Sequence, residues 1–304
     1  MIHLVATLVS HPERPALSDA LLRRVAQVLP GAGEPHMLNP GVAADVPFRA
    51  PPASGDAPYD ATAQAERVRT ALDGEPVDVI VQPAATRRKR LFLADMDSTM
   101  IGQECIDELA DFVGLKDKVS AITERAMRGE LAFEPALRER VGLLAGLDVA
   151  VVDRIIAERI TLTPGGSALV RTIRRDGGYA ALVSGGFTLF TGPISATIGF
   201  DEHRSNVLIA EEGKLVGRVQ EPILGKEAKL ATLVELRNRF GLAHLDTLAV
   251  GDGANDLAML NEAGLGVAFR AKPAVAAAAH ARVEHADLTA LLYAQGYRRE
   301  EFAD

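Results

Sequence analysis

Short apolar runs that end abruptly in polar or glycine-rich segments recur along the second part of the chain. Residues 91–94, 179–183 and 247–250 each have the length and character of a strand buried on both faces of a parallel sheet. The carboxyl ends of parallel strands share one edge, and open α/β sheets bind their ligands there. The pattern therefore predicts an α/β fold with a three-layer, Rossmann-like parallel sheet and a site at its carboxyl edge.

Two more segments complete the predicted architecture. Residues 103–162, between the first two runs, carry apolar side chains at helical spacing and predict a helical cap inserted over the carboxyl edge. A cap of this kind excludes water and contacts the substrate. Residues 1–85 predict the strand–helix–strand–strand–helix–strand order of a small ferredoxin-like α+β domain. We therefore expect that domain to be followed by a core of residues 86–304.

One predicted hairpin has no evident chemistry. Residues 206–210 and 214–219 are apolar runs of strand length, and Gly213 between them can supply the turn.

The first strand-like run ends in two carboxylates. Asp95 and Asp97 are close enough to repel one another, so they need a cation, a lysine or a shared proton nearby. Such a pair suits a carboxylate nucleophile with a second carboxyl group that moves protons beside a divalent cation. Taken alone, the same pair could also be an acidic turn after a core strand.

The other run ends supply groups that match this chemistry. The Ser184 hydroxyl and the Gly185 amide, at the start of a helix, suit phosphate oxygens. Asp252 and Asp256 offer the hard oxygen ligands that Mg²⁺ prefers. Lys229 adds a fixed positive charge. Together these groups favour phosphoryl chemistry over an acidic turn.

Composition excludes several other functions. The 304 residues include 33 lysines and arginines against 41 acidic residues, so nucleic acid or an anionic membrane has no electrostatic support as a partner. The seven histidines are scattered without zinc-ligand spacing. The single Cys105 fits a reducing cytoplasm and is expected to be a small buried residue. No stretch is apolar enough to span a bilayer. The basic residues 86–90 are expected to form a solvated hinge rather than a nucleic-acid patch.

From about Leu91 onward the chain resembles the haloacid-dehalogenase superfamily of phosphotransferases. Its four motifs match residues 95–99, residues 184–187, Lys229 and residues 251–256. Segments of the insertion also match and resemble the phosphoserine phosphatases within that superfamily. The N-terminal unit resembles ACT-type regulatory domains in architecture only, so no ligand residues carry over to it.

The resemblance implies a role for each motif residue. Asp95 would attack phosphorus and form an aspartyl-phosphate. Asp97 would protonate the departing seryl oxygen and then deprotonate the attacking water. Ser184, Gly185 and Lys229 would hold the phosphoryl oxygens.

The resemblance also implies a magnesium site. Asp95, the backbone carbonyl of Asp97 and Asp252 would bind the ion. Asn255, which would also contact the substrate, and Asp256 would support the metal site and Lys229 from the same loop.

The predicted cap carries the candidates for specificity. Arg140 could pair with the carboxylate of phosphoserine and Glu104 with its ammonium group, because their charges match the two poles of an amino acid. By sequence alone both could be ordinary surface charges on helices. Met127 and Phe133 line the pocket entrance in the family, although by default they would be core or cap filler.

Two other functions stay open. The same site could pass the phosphoryl group to an alcohol instead of water. Alternatively, the chain could be a non-catalytic amino-acid sensor with an inert core, although such a core would be expected to lose Asp95, Asp97 or Lys229. A homodimer through residues 1–85 is a further prediction, and the expected partner is a phosphorylated small molecule.

Overall fold

The first sheet is antiparallel and carries two helices on one face. The computed structural model describes residues 1–50, 60–127 and 130–303, without the side chains of residues 126 and 127. The sheet has the order β2-β3-β1-β4. Its elements are β1 (Ile2–Ser10), α1 (Asp19–Val28), β2 (His36–Asn39), β3 (Ala43–Ala50), α2 (Ala61–Leu72) and β4 (Val77–Pro83). This order and topology confirm the ferredoxin-like prediction.

Each helix of this unit begins at a side-chain cap. The Ser18 hydroxyl accepts a hydrogen bond from the Leu21 amide at 3.2 Å, and the Asp60 carboxylate accepts one from Ala63 at 2.8 Å. Both caps satisfy amides that the first turn of a helix leaves unpaired. The apolar faces of the two helices then pack on the sheet in a core of their own.

The second sheet is parallel and has six strands. Its order is β12-β11-β10-β5-β6-β7, and every neighbouring pair is parallel. The strands that follow β4 along the chain are β5 (Leu91–Ala94), β6 (Tyr179–Phe187), β7 (Glu202–Asn206), the hairpin β8 (Leu208–Glu211) and β9 (Lys214–Val219), β10 (Thr247–Gly251), β11 (Leu265–Phe269) and β12 (Ala281–Val283). The chain runs outward from β5 in both directions, so the strand order reverses beside β5, where such sheets bind ligands.

Helices cover the parallel sheet on both faces and at its carboxyl edge. The cap contains α3 (Cys105–Phe112), α4 (Lys116–Met127), α5 (Phe133–Gly142) and α6 (Val151–Glu158). One face carries α7 (Gly166–Arg175), α8 (Thr188–Ile198) and α12 (Ala290–Ala294), and the other carries α9 (Lys226–Arg239), α10 (Leu257–Glu262) and α11 (Pro273–Ala278). Alternate residues of β5 pack into the two helical layers, Phe92 into one and Leu93 into the other. The three-layer α/β prediction is therefore confirmed.

The structure confirms the turn of the predicted hairpin, but the predicted start of its first strand is wrong. The strands β8 and β9 pair antiparallel around Gly213, but Asn206 ends β7 in the parallel sheet. The hairpin packs on the cap, since the Gly146 amide donates to the Leu215 carbonyl at 2.7 Å. The strand β7 was missed because its sequence, Glu-His-Arg-Ser-Asn, is polar, as sheet-edge strands often are.

The basic linker is only partly solvated. Arg88 and Arg90 are exposed, as the prediction requires, but Lys89 is not. Lys89 is buried, and its ammonium group donates to the carbonyls of Thr86 and Leu245, both at 2.9 Å. Burial lowers the pKa of Lys89 to about 8. Arg87 forms an ion pair with Asp45 of the first sheet. Lys89 is buried because the two sheets pack against one another there, a contact that the composition of the linker does not reveal.

No helix in the described ranges has both the length and the apolarity that a bilayer crossing requires.

Candidate active site

A cavity of about 180 Å³ lies between the cap and the carboxyl edge of the parallel sheet. The ends of β5, β6 and β10 form its floor, and α3 and α5 supply the other side. The residues that line it are Asp95, Asp97, Glu104, Ile106, Phe133, Leu137, Arg140, Ser184, Gly185, Gly186, Phe187, Asp252, Gly253 and Asn255.

Asp95 lies at the end of the central strand and is almost fully buried. Its Oδ1 accepts hydrogen bonds from the Met96 amide at 2.8 Å and from the Lys229 ammonium at 2.7 Å. Both contacts use Oδ1, and Asp95 lines the cavity, so Oδ2 is the oxygen that can meet a ligand. Burial raises the pKa of Asp95 well above its usual value, although Lys229 acts in the opposite direction. A cation beside this carboxylate would favour its ionised form.

Lys229 links two of the predicted site residues. Its Nζ lies 2.7 Å from Asp95 Oδ1 and 2.6 Å from Asp256 Oδ1, and its exposed fraction is 1%. Burial by itself lowers the pKa of Lys229, but the two carboxylates outweigh it and the pKa lies above the ordinary value. Lys229 is therefore a permanently charged group held directly behind the carboxylate that faces the cavity.

Asp97 follows in a tight turn that spans Met96–Met100 and closes with a hydrogen bond from the Ile101 amide to the Met96 carbonyl, at 3.1 Å. Asp97 Oδ1 accepts from the Cys105 amide at 3.2 Å. Burial raises the pKa of Asp97 to about 6, against the lowering effect of its hydrogen bonds with Cys105. A carboxyl group that titrates near neutral pH can both donate and accept a proton. Ser98, in the middle of the turn, has a φ of +54°, a strained value for a residue other than glycine.

Three carboxylates converge where a cation could bind. Asp95, Asp252 and Asp256 each offer one oxygen, and these oxygens lie within 4.8 Å of one another. Burial, followed by the charge of Asp256, raises the pKa of Asp252. The loop achieves this convergence with glycines, since a Cβ at Gly251 would lie 2.4 Å from Asp256 Cγ. Clustered hard oxygens of this kind fit a divalent cation such as Mg²⁺.

Ser184 and its following glycines form a small loop beside Asp97. The Ser184 hydroxyl accepts a hydrogen bond from the Gly186 amide at 2.8 Å. A Cβ at Gly186 would lie 3.0 Å from Ser184 Oγ and 3.1 Å from Asp97 Oδ2, so both side chains lie close to this glycine. The loop thus brings a hydroxyl and backbone amides close to the Asp97 carboxylate.

The arrangement matches a known family. The family model of haloacid dehalogenase-like hydrolases matches residues 92–261, which is more than half of the chain. The chain belongs to this family. It is also 45% identical over 244 residues to a phosphoserine phosphatase of Streptomyces coelicolor, a match that covers 78% of this chain and 59% of that protein. The chain thus spans less than two thirds of this relative's length.

Two solved structures resemble this haloacid dehalogenase-like hydrolase. A haloacid dehalogenase family hydrolase from Salmonella enterica serovar Typhi matches with a TM-score of 0.82 and 27% identity, over 96% of this chain and 97% of that one. A phospho-aspartyl intermediate analogue of phosphoserine phosphatase matches with a TM-score of 0.62 and 40% identity, over 68% of this chain and 98% of that one. The first likeness covers both sheets, and the second covers about two thirds of the chain.

The structure of this hydrolase brings most of the predicted site residues together. Lys229 and Asp256 lie buried behind the cavity. Together with Asp252, eight other predicted site residues line the cavity: Asp95, Asp97, Glu104, Phe133, Arg140, Ser184, Gly185 and Asn255. Asp256 contacts Lys229 directly, and one of its oxygens also belongs to the group of three carboxylates. The side chain of Met127 lies outside the described residues.

The cap places two opposite charges in the cavity wall. Glu104 Oε1 accepts from the Ser98 hydroxyl at 2.7 Å. Part of the Glu104 side chain reaches solvent, but partial burial of its carboxyl group, followed by the charge of Asp97, raises the pKa of Glu104 to about 7. Arg140 is half-buried and donates weakly to the Ala136 carbonyl and the Thr123 hydroxyl. Among the described residues no carboxylate lies within 4.0 Å of its guanidinium.

Sequence reasoning missed two groups that shape the site. Thr99 donates to Asp252 Oδ1 at 3.1 Å and so orients a candidate metal ligand. Ile106 and Leu137 supply an apolar wall to the cavity. Thr99 could have been identified from the sequence, because it lies in the short turn that directly follows Asp95. The two apolar residues follow the ordinary helical pattern of the cap, so nothing in the sequence indicates that they line the cavity.

Proposed function

We propose that the chain is a phosphoserine phosphatase, which hydrolyses O-phospho-L-serine to L-serine and phosphate. One observation carries the proposal. The buried pair of Asp95 and Lys229 at one side of the cavity suits a phosphoryl group, and Glu104 and Arg140 in the cap present charges opposite to those of an amino acid's two poles. The family and the similarity to named phosphoserine phosphatases support the same assignment.

The reaction has two steps. In the first, Asp95 Oδ2 attacks phosphorus, the bond from phosphorus to the seryl oxygen breaks, and Asp97 gives its proton to that oxygen. In the second, Asp97 takes a proton from water, whose oxygen attacks the aspartyl-phosphate and frees Asp95 and phosphate. Ser184, the Gly185 amide and Lys229 hold the phosphoryl oxygens through both steps.

A magnesium ion completes the proposed site. Asp95, the backbone carbonyl of Asp97 and Asp252 would hold it, with Asn255 and Asp256 in support, and Asp256 is close enough to join them. When bound, the ion neutralises charge on the phosphoryl group, which is the main task in phosphoryl transfer. The acidic cluster supports this proposal, because Lys229 supplies one positive charge to three neighbouring carboxylates, and a divalent cation would offset the repulsion that remains.

Replacing Arg140 by Ala should reduce phosphoserine hydrolysis selectively. The change leaves the substrate carboxylate unpaired in a partly closed site, which costs on the order of 2–5 kcal/mol. We therefore expect kcat/KM for phosphoserine to fall by about 30-fold or more. O-phosphoethanolamine, which lacks only the carboxylate, should be hardly affected. Steady-state kinetics on both substrates measure the difference.

Arg125→Ala is the matched control for that experiment. Arg125 lies on the neighbouring cap helix α4 and pairs with Glu139 at the surface, outside the cavity. It should leave both substrates unchanged. If Arg140→Ala weakened hydrolysis of the two substrates equally, Arg140 would be structural and the assignment to phosphoserine would lose its support from the cap.

Activity should depend on Mg²⁺ and respond to Asp252. A chelator should abolish turnover, and Ca²⁺ should support less of it because Ca²⁺ accepts looser geometry and more ligands. Asp252→Asn should raise the Mg²⁺ concentration needed for half-maximal rate, as a titration would show. Asp246→Asn, a change at the other end of β10, should leave that Mg²⁺ concentration unchanged. Full activity in a metal-stripped sample would contradict the proposed site.

Several finer statements stay predictions. A cytoplasmic location is one of them, and the single buried Cys105 supports it. The domain division is another: residues 1–85 would form one domain and residues 86–304 the core, with a cap over residues 103–162. The presence of two separate sheets supports this division. A homodimer through residues 1–85 and binding of an amino acid there are untested. Transfer to an alcohol instead of water would be recognised by measuring phosphate release with and without added alcohols.

A further inference from the structure

The edge of the parallel sheet is interrupted beside the phosphoryl site. β6 and β7 pair regularly as far as Val183 and Arg204, and the next pair is Phe187 with Asn206. Residues 184–186 of β6 therefore face a single residue of β7, and the loop that carries Ser184 bulges out of the sheet. Such a bulge leaves backbone groups without their sheet partners, so another group must satisfy them.

The side chain of Asn206 supplies the missing partner. Asn206 is the last residue of β7 and its exposed fraction is 2%. Its Nδ2 donates to the Gly185 carbonyl at 2.9 Å and to the Leu224 carbonyl at 3.2 Å, and its Oδ1 accepts from the Leu224 amide at 2.7 Å. A single amide thus joins the Ser184 loop to the segment that enters α9, the helix that carries Lys229.

The same two segments support the cap. A Cβ at Gly185 would lie 3.6 Å from Cζ of the Phe133 ring, and a Cβ at Gly225 would lie 3.6 Å from Cδ1 of the same ring. Phe133 begins the cap helix α5 and lines the cavity. The ring therefore covers both segments that Asn206 joins.

We propose that Asn206 is a positioning residue for phosphoryl transfer. Its hydrogen bonds hold the Gly185 carbonyl and the Leu224 backbone at a fixed distance from one another. This contact fixes the position of the Ser184 loop relative to the start of α9. As a result, Ser184 and Lys229 can both contact the same phosphoryl group. Asn206 is not among the residues that line the cavity, and its side-chain hydrogen bonds described above go to backbone groups, so we expect it to act through the backbone. This role rests on the proposed phosphatase function.

Gln295 provides a matched control. It too is a fully buried amide, and it accepts from the Lys89 amide at 3.1 Å while donating to the Leu291 carbonyl at 2.9 Å. It lies at the end of α12, outside the cavity. Asn206→Asp and Gln295→Glu therefore make the same chemical change, the loss of an amide donor to backbone carbonyls, at the site and away from it.

The test compares these variants by thermal unfolding and by kinetics with Mg²⁺. Both changes should lower the melting temperature, since Asn206→Asp removes a donor from two backbone carbonyls and Gln295→Glu removes a donor from one. Asn206→Asp should also lower kcat about 10–100-fold, because a misplacement of about 1 Å is enough for such a loss. The loss should be equal for phosphoserine and for p-nitrophenyl phosphate, and inorganic phosphate should inhibit more weakly. Gln295→Glu should leave the kinetic constants unchanged.

Asn206→Ser separates lost hydrogen bonds from the added charge, and it also serves if Asn206→Asp fails to fold. A hydroxyl is neutral but cannot make all three hydrogen bonds, so a similar equal loss on both substrates supports the proposal. Wild-type kinetics in a folded Asn206→Ser protein overturn it, because stability alone would then be affected.

The test also distinguishes an error in the proposed function from an error in the role of Asn206. If the wild type hydrolyses p-nitrophenyl phosphate but not phosphoserine, the proposed substrate is wrong. The aryl phosphate comparison between Asn206→Ser and wild type then still decides the role of Asn206 by the same criterion.

Discussion

Asp95→Asn should abolish turnover while the protein stays folded. The change keeps the shape of the side chain but removes the anionic oxygen that would form the bond to phosphorus. The amide oxygen can still accept the hydrogen bond from Met96, so the end of β5 should keep its geometry. Beryllofluoride, a mimic of the phosphoryl group on a carboxylate, should bind the wild type and not the variant. Phosphate release and a binding titration measure the two effects.

Asp78→Asn is the matched control for Asp95→Asn. Asp78 is as deeply buried as Asp95, but its carboxylate accepts hydrogen bonds from backbone amides, including that of Ala286 at 2.8 Å, far from the cavity. Its replacement should lower stability and leave turnover intact. Appreciable phosphate release by Asp95→Asn, after contamination by wild type is excluded, would show that Asp95 is not the nucleophile.

Asp97→Asn should slow phosphoserine hydrolysis by roughly 10²–10⁴, the usual range for a lost general acid or base. The loss should be smaller for p-nitrophenyl phosphate, because its leaving group departs without a proton. The comparison of kcat/KM for the two substrates measures the acid role. An equal loss on both would remove Asp97 from that role.

The same substitution should stabilise the metal-free protein at neutral pH. The folded-state pKa of Asp97 is about 6, above the ordinary value of 3.8. The folded state therefore binds this proton more tightly, and the free energy of unfolding falls as pH rises from about 4 to about 6, by on the order of 2–3 kcal/mol. Because Asn does not ionise, the free energy of unfolding of the variant does not fall in this way.

Urea unfolding in a chelator tests that prediction. Asp97→Asn should be more stable than the wild type at pH 7 and should lose that advantage near pH 4, where the wild-type carboxyl group is protonated. A variant that was less stable than the wild type at pH 7 would contradict a raised pKa for Asp97 in the folded state. Loss of activity together with gain of stability is the pattern expected where a site holds groups in costly environments.

The sequence by itself determined the fold class and most of the site. Strands buried on both faces must be apolar, and the polar residues that follow them must lie at one edge, so the positions of Asp95, Ser184 and Asp252 follow from local pattern. The family motifs then gave these residues chemical roles. Burial period and strand length are local properties, which is why a single chain reveals them.

Only the tertiary structure decided how those segments meet. The contact of Lys229 with both Asp95 and Asp256, the burial of Lys89 in the linker and the hydrogen bonds of Asn206 join residues distant in sequence. A polar residue such as Asn206 looks like any edge or turn residue in the sequence. Its role exists because the bulge in β6 leaves a carbonyl unpaired directly opposite it, and sheet register sets that position.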